Sequence, residues 1–249
     1  MNAVQNHLIE LLPVADRSRI LALCEPVELA LSEVLCEPGK PTRHVYFPTQ
    51  GYISLVALVA LVDGSPGVEV GMVGREGMLG AHLVLGVATV PLHALVQGPG
   101  MALRIATAPF KRELARSAAL RRGLNRYLYV LMAQQASSAA CLRFHLIGQR
   151  LARWLLMSQD RARSDNFHLT HEFLAYMLGM RCVGITAAAS TLQRDGLIQY
   201  HRGEITVLDR GGLQAVACSC YDTSEQTYSD LLGSAAKACT GQKSPRSVR

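Results

Sequence analysis

Leu169-Thr-His-Glu-Phe-Leu-Ala-Tyr-Met-Leu-Gly179, followed by Met180-Arg-Cys-Val-Gly-Ile-Thr-Ala-Ala-Ala-Ser-Thr-Leu-Gln-Arg194, is the stretch that decides how this chain folds. Thr170 is suited to cap a helix whose apolar positions Phe173, Leu174, Met177 and Leu178 recur at the three- and four-residue spacing of a buried stripe. Gly179 supplies a turn. A second helix is expected from about Val183 to Arg194, with Ile185, Ala188, Ala189 and Leu192 on one face. Beyond it Leu197, Ile198 and Tyr200, the polar tip His201-Arg202-Gly203, and Ile205 and Val207 alternate as a small β-hairpin does. Two short helices across a glycine turn, closed by a basic-tipped hairpin, are the layout of a winged helix-turn-helix, whose second helix enters the DNA major groove. A plain helical hairpin would account for the two helices but not for the basic hairpin that follows.

The distribution of charge agrees with a polyanionic partner. The net charge of +6 is modest, yet residues 1–109 carry 6 Lys/Arg against 9 Asp/Glu, residues 110–163 carry 11 against 2, and residues 164–249 balance at 8 each. The positive charge sits in the helical region leading into the reading module, where phosphates would be met. Part of it, notably Arg121 and Arg122, reads equally well as the solvated face of a helix.

Working toward the N-terminus, residues 4–23 read as a helical lead-in, with Val4, Leu8, Leu11 and Leu12 on one face and Pro13 as an interruption. From residue 25 to about 108 the period shortens. Apolar or alternating runs at Val27–Leu31, Val34–Cys36, Val45–Phe47, Tyr52–Val56, Val68–Met72, Leu92–Val96 and Ala102–Ile105 are separated by Pro38-Gly39, Pro48, Gly51, Asp63-Gly64, Pro66-Gly67, Gly74, Gly86 and Gly98-Pro99-Gly100. That punctuation predicts an antiparallel roll or sandwich. Pro109 opens a helical region in which Leu120, Leu124, Leu128 and Leu131 share a side, a stripe that predicts pairing with a second copy of the chain. Packing back on the β-unit is the alternative. A further helix, Leu142 to about Asp160, is expected behind the reading module, and one more from Leu213 to Leu232, with a polar tail after Gly233.

Cysteines at 24, 36, 141, 182, 218, 220 and 239 form no CxxC pair. Cys218-Ser-Cys220 is the only close pair, and CxC without two further ligands is a weak metal signal, so free, incidental thiols are expected, with no metal and no cofactor. His44, His82 and His93 share the β-unit with Asp63, Glu69 and Glu76, but no histidine pair has metal spacing and neither a Gly-x-Ser-x-Gly nor a phosphate loop occurs, so no enzyme is expected. The opening Met-Asn-Ala-Val-Gln-Asn-His lacks the basic and apolar regions of a signal peptide, and no run of eighteen apolar residues occurs; a cytoplasmic, membrane-free protein is the expectation.

A β-roll, a long helix and a winged helix-turn-helix in this order resemble the Crp/Fnr family of bacterial transcription regulators over essentially all of residues 4–232. Leu169–Gly179, Val183–Arg194, Gly196-Leu-Ile, Glu37-Pro38-Gly39 and Val45-Tyr46-Phe47-Pro48 carry the likeness. The resemblance implies an α+β chain. A cyclic-nucleotide-binding-like antiparallel β-roll with an N-terminal helix occupies 1–115, a dimerisation helix 116–141 and the winged helix-turn-helix 142–233, and a flexible tail follows at 234–249. It also implies a homodimer on two-fold symmetric double-stranded DNA, in contact with RNA polymerase. The family's DNA-contacting positions fall on Arg181, Cys182, Gly184, Thr186, Ala187 and Ser190, with Thr170 on the preceding helix and His201 and Arg202 at the wing tip. Relatives that bind cyclic nucleotides hold the ribose with a Gly-Glu pair and the phosphate with an Arg-Ser/Thr pair. Here those positions are Gly80-Ala81 and Pro91-Leu92, which offer no charge, so cyclic AMP is not expected to bind. Arg75 and Glu76 are the nearest charged pair that could serve a different, unidentified small molecule, and an ion-paired surface turn is the plainer reading of them. Cys24 and Cys36 alone do not make the N-terminal cysteine cluster of the iron–sulfur members. A ligand-binding or scaffolding protein of the same fold, with weakened DNA binding, is the alternative function.

Overall fold

Pro13 splits the lead-in into two short helices, α1 (His7–Glu10) and α2 (Val14–Leu21), because proline fits the start of a helix and not its interior. The computed structural model describes residues 6–58 and 67–233; Val4, the Asp63-Gly64 turn with Pro66, and the tail from 234 lie outside them. Among the described residues seven strands follow: β1 (Glu25–Leu29), β2 (Val34–Cys36), β3 (His44–Pro48), β4 (Tyr52–Leu58), β5 (Gly67–Val73), β6 (Leu92–Gly98) and β7 (Gly100–Ala106), with a 3-10 turn at Ala81–Leu85. They form two antiparallel sheets, ordered β1-β7-β3 and β2-β6-β4-β5. Leu29, Ile53, Val73, Val96 and Ala102 fill the space between the sheets. The expected roll is therefore observed.

Helix α3 (Thr107–Arg116) leads into the long α4 (Ala118–Phe144), capped by the Ser117 hydroxyl, which accepts from the Leu120 amide at 3.0 Å. Two boundaries differ from the sequence reading. First, α4 runs on to Phe144, so Cys141 and Leu142 belong to it; the chain breaks at His145-Leu146 and α5 begins at Ile147, ending at Ala162. The apolar pattern is continuous across this point, and the break is marked only by extended backbone and by the Gln149 side chain accepting from the Leu146 amide at 3.1 Å. Leu146 itself is exposed, while Leu151, Trp154, Leu155 and Leu156 of α5 are buried as expected. Second, the single helix read over Leu213–Leu232 is two, α8 (Arg210–Val216) and α9 (Cys220–Leu232), parted by extended Ala217.

The second break lets α9 turn back along α4. Leu232 and Tyr228 join Leu120, Leu124, Tyr127 and Val130 of α4, Leu8, Ile9 and Leu12 near the N-terminus, and Met78 and Leu83 of the roll in one apolar cluster. This takes Leu120 and Leu124 out of the dimer seam read from the sequence. Leu120 and Leu124, 3% and 1% exposed, are enclosed by the chain's own elements, and Leu128 and Leu131 pack against the same cluster. A leucine stripe identifies the buried side of a helix without saying what buries it. Among the described residues no single helix is long and apolar enough to cross a membrane.

Candidate nucleic-acid interface

Residues 169–207 fold as the sequence reading requires. Thr170 caps α6 (His171–Leu178), its hydroxyl accepting from the Phe173 amide at 3.1 Å, and Gly179 ends it at φ +60°, a left-handed conformation that glycine adopts without strain. Arg181 stands at the N-cap of α7 (Cys182–Arg194), and the two helices meet at 108°. The wing is β9 (Ile198–His201) paired with β10 (Glu204–Val207), which pairs on its other side with a strand the sequence reading missed. That strand, β8 (Asn166–His168), precedes β9 in the chain and is only three residues long, too short to leave an alternating pattern. The inner faces of α5, α6, α7 and the wing share a core of Leu151, Leu155, Leu174, Ile185, Leu192, Ile198 and Ile205.

What remains outside is a continuous face. Arg181, Cys182, Thr186, Ala187 and Ser190 are exposed along α7, and His201 and Arg202 are exposed at the wing tip. Arg202 takes a left-handed turn conformation, φ +49°. Gly184 departs from the expected contact set. A side chain there would stand 2.9 Å from Ile147 Cδ1, so this position faces α5 and lets the two helices approach. Val183, 81% exposed, occupies the outward surface instead; its apolar character gave no signal of this. A second feature missed in sequence is a brace between the elements. The His171 ring stacks on Tyr200 at 4.3 Å, and His171 Nδ1 lies 3.0 Å from the Thr186 hydroxyl, joining α6, α7 and the wing. The hydroxyl of Thr186 is also engaged with the Cys182 carbonyl at 3.0 Å.

The head is docked on the roll. Tyr52, Val56 and Met72 of the sheet enter the same core as α5. Beside them Trp154 Nε1 donates to Glu69 at 3.0 Å and the Ser54 hydroxyl donates to the same carboxyl at 2.5 Å. Burial between sheet and helix pushes the Glu69 carboxyl up to about 7 despite these donors and nearby Arg161.

The six residues read as an effector site do not converge. Glu76 Oε1 lies 2.8 Å from Nε of the buried Arg161 on α5, near enough for an ion pair though not aligned as a hydrogen bond, and the Glu76 carbonyl accepts from Tyr228 on α9 at 2.8 Å. The Arg75 carbonyl accepts from the His7 amide. Arg75 and Glu76 thus border a cavity of about 180 Å³ among α4, α5 and α9, on the side of the junction. Gly80 starts the 3-10 turn, the Ala81 methyl is buried in the cluster below α4, Pro91 is exposed, and Leu92 packs against the inter-sheet core.

The cysteine reading also needs correction. Cys218-Ser-Cys220 does have two further potential ligands nearby, Cys141 and His145 at the end of α4. The sequence could have offered them only as one more i, i+4 pair, 73 positions upstream of any partner.

Residues 149–216 match the model of the Crp-like helix-turn-helix domain. No curated protein matches the sequence. Solved structures similar to the chain include a putative Crp/Fnr regulator from Eubacterium rectale (TM-score 0.64, 16% identity, covering 84% of this chain and 96% of that one). FixK2 from Bradyrhizobium japonicum superposes with a TM-score of 0.65 at 16% identity over 79% of this chain and 98% of that one. The c-di-GMP-responsive regulator CLP of Xanthomonas campestris gives 0.63 at 16% identity over 79% and 100%. The chain therefore has the fold of the Crp/Fnr regulators and, over residues 149–216, a Crp-like helix-turn-helix domain.

Proposed function

We propose that this chain is a DNA-binding transcription regulator that acts as a homodimer on a two-fold symmetric operator, with α7 as its recognition helix. The observation that carries the reading is the outward face of α7, exposed among the described residues, with Arg181 at its start and Arg202 on the adjoining wing. Arg181 is placed to meet a base edge or a phosphate, and the wing to meet phosphate alone. Cys182, Val183 and Ala187 offer little hydrogen bonding, so discrimination between sequences draws on DNA shape as well as on base edges. The functional units are the roll with its N-terminal helices, the connecting helix α4, and the head from α5 onward, with the head's boundary at the His145-Leu146 break.

The dimer seam consistent with the packing is the exposed stripe of α4. Tyr129 and Met132, 60% and 66% exposed, continue at helical spacing through Ala136 and Ala140, on the side away from the filled leucine face. The controlling signal is one other than cyclic AMP, since the buried Ala81 and the exposed Pro91 supply neither a carboxylate for a ribose nor a cation for a phosphate. Calorimetric titration with cyclic AMP and cyclic GMP is expected to show no heat.

Genomic fragments selected by the purified chain test the central reading. Expected are a shared palindromic motif and affinity that falls steeply with salt. Absent or salt-insensitive binding would instead favour a ligand-binding or scaffolding protein of this fold. Contact with RNA polymerase, expected from the family, is tested by transcription from a promoter carrying that motif.

A further inference from the structure

The break between α8 and α9 brings two cysteines against the end of α4. Cys141 and His145, four residues apart, lie on one side of the last turn of α4, facing Cys218 and Cys220. Cys141 Sγ stands 3.5 Å from Cys218 Sγ, and Cys220 Sγ stands 3.6 Å from His145 Nδ1. All four donor atoms lie within 4.8 Å of one another. The three cysteines are buried and the histidine is half-buried. The sulfurs are too far apart for a disulfide, which needs about 2.05 Å.

We propose that Cys141, His145, Cys218 and Cys220 form a tetrahedral binding site for a single zinc ion. Zinc–sulfur bonds of about 2.3 Å and zinc–nitrogen bonds of about 2.0 Å set the edges of such a tetrahedron at roughly 3.5–3.8 Å, and the Cys141–Cys218 and Cys220–His145 separations match them. Three soft thiolates and one imidazole select a zinc-like ion over calcium or magnesium, which take oxygen donors. An iron–sulfur cluster would need its ligands spread round a larger body than these four atoms enclose. With four protein ligands the ion has no open position, so the site is structural and not catalytic.

The surroundings suit the charge of such a centre. Three thiolates and a neutral imidazole around a divalent ion leave one net negative charge, and buried Arg150 and Arg153 stand beside it. Among the described residues Arg153 makes one long hydrogen bond, to the Ser138 hydroxyl at 3.4 Å, and its Nε has no partner. Ion binding releases the thiol protons to solvent, with no change of oxidation state.

The position of the site gives it a consequence. His145 is the residue at which α4 stops and the chain turns into the head, and Cys218 and Cys220 flank the turn by which α9 returns to α4. An ion here ties the connecting helix, its break and the end of the head at one point. On the reading of the head as a DNA reader, removing the ion weakens operator binding.

The test begins with metal analysis of the full chain, purified under reducing conditions without chelators. About one zinc per chain is expected, falling to background in Cys218→Ser and Cys220→Ser and unchanged in Cys24→Ser and Cys182→Ser. Cobalt loaded into the metal-free wild type provides a readout that needs no variant. Intense visible bands of a tetrahedral thiolate site are expected, altered in His145→Ala. A metal-free protein with a pale octahedral cobalt spectrum, or a Cys141–Cys218 disulfide mapped in freshly purified chain, overturns the proposal. Operator affinity is then compared between metal-free and reloaded protein. Failure to bind DNA in both states counts against the DNA reading and leaves the metal result standing.

Discussion

Arg181 and Arg202 occupy different mechanical situations, and their substitution separates two kinds of DNA contact. Arg181 caps α7 from outside, at the point where the helix would enter a groove. Arg181→Ala is expected to cost about 1–3 kcal/mol in operator binding and to relax preference at one base pair per half-site. Arg202 sits on a two-residue turn between β9 and β10, and in the proposed docking it would meet only phosphate. Arg202→Ala should weaken binding to all sequences alike and lower the salt slope by about one, read from binding isotherms at several salt concentrations. Cys182, exposed in the first turn of α7, offers the converse experiment. Cys182→Arg adds a cation on the outward face and should tighten binding; unchanged affinity would mean that this position does not reach the DNA.

At the scale of elements, α4 has two faces with opposite assignments. Leu124→Ala removes a side chain enclosed within the chain and should lower stability by about 2–5 kcal/mol while leaving the association state of the folded fraction intact. Met132→Glu with Tyr129→Glu places charges on the exposed stripe and should give folded monomers in sedimentation, with normal thermal unfolding. A wild-type dimer surviving the double substitution would place the seam elsewhere. The sequence made the helix-turn-helix legible because its signals are local: the Thr170 cap, the Gly179 turn and one apolar stripe per helix suffice. The assignment of the α4 leucines was not legible, because their burial depends on α9, about a hundred positions later in the chain. The α8–α9 break was hidden for another reason. No proline or glycine lies between Leu213 and Leu232, and Ala217 is as compatible with a helix as with the extended link it forms. The metal-type cluster follows directly from that break and was invisible for the same cause.

For the whole molecule, the junction between roll and head rests partly on a carboxyl that prefers to be neutral. Glu69, with its pKa raised from the ordinary 4.5 to about 7, binds a proton in the folded chain that it releases in the unfolded one between those values. Its contribution to stability is therefore full below about pH 4.5 and is lost as pH rises through about 7. Half-buried His7, held below its ordinary value by desolvation, acts in the opposite sense, so the informative quantity is a difference between variants. Glu69→Gln, neutral at every pH, should unfold at a temperature several degrees above wild type at pH 8 and close to it at pH 5. Equal pH dependence in the two proteins would show that Glu69 is ionised throughout.

Helix α9 also sets an order of events during synthesis. The roll and α4 emerge first, yet the α4 face that carries Leu124, Tyr127 and Val130 acquires its full cover only when Tyr228 and Leu232 arrive. Until then a nascent chain exposes an oily strip beside a nearly finished sheet, a condition that invites capture by chaperones or self-association. A head-less truncation ending at the α4–α5 break would hold that strip permanently open. Cutting this protein at that break should therefore yield an aggregating fragment of roll and α4. The same fragment should become soluble when a peptide spanning Cys220–Leu232 is supplied in trans.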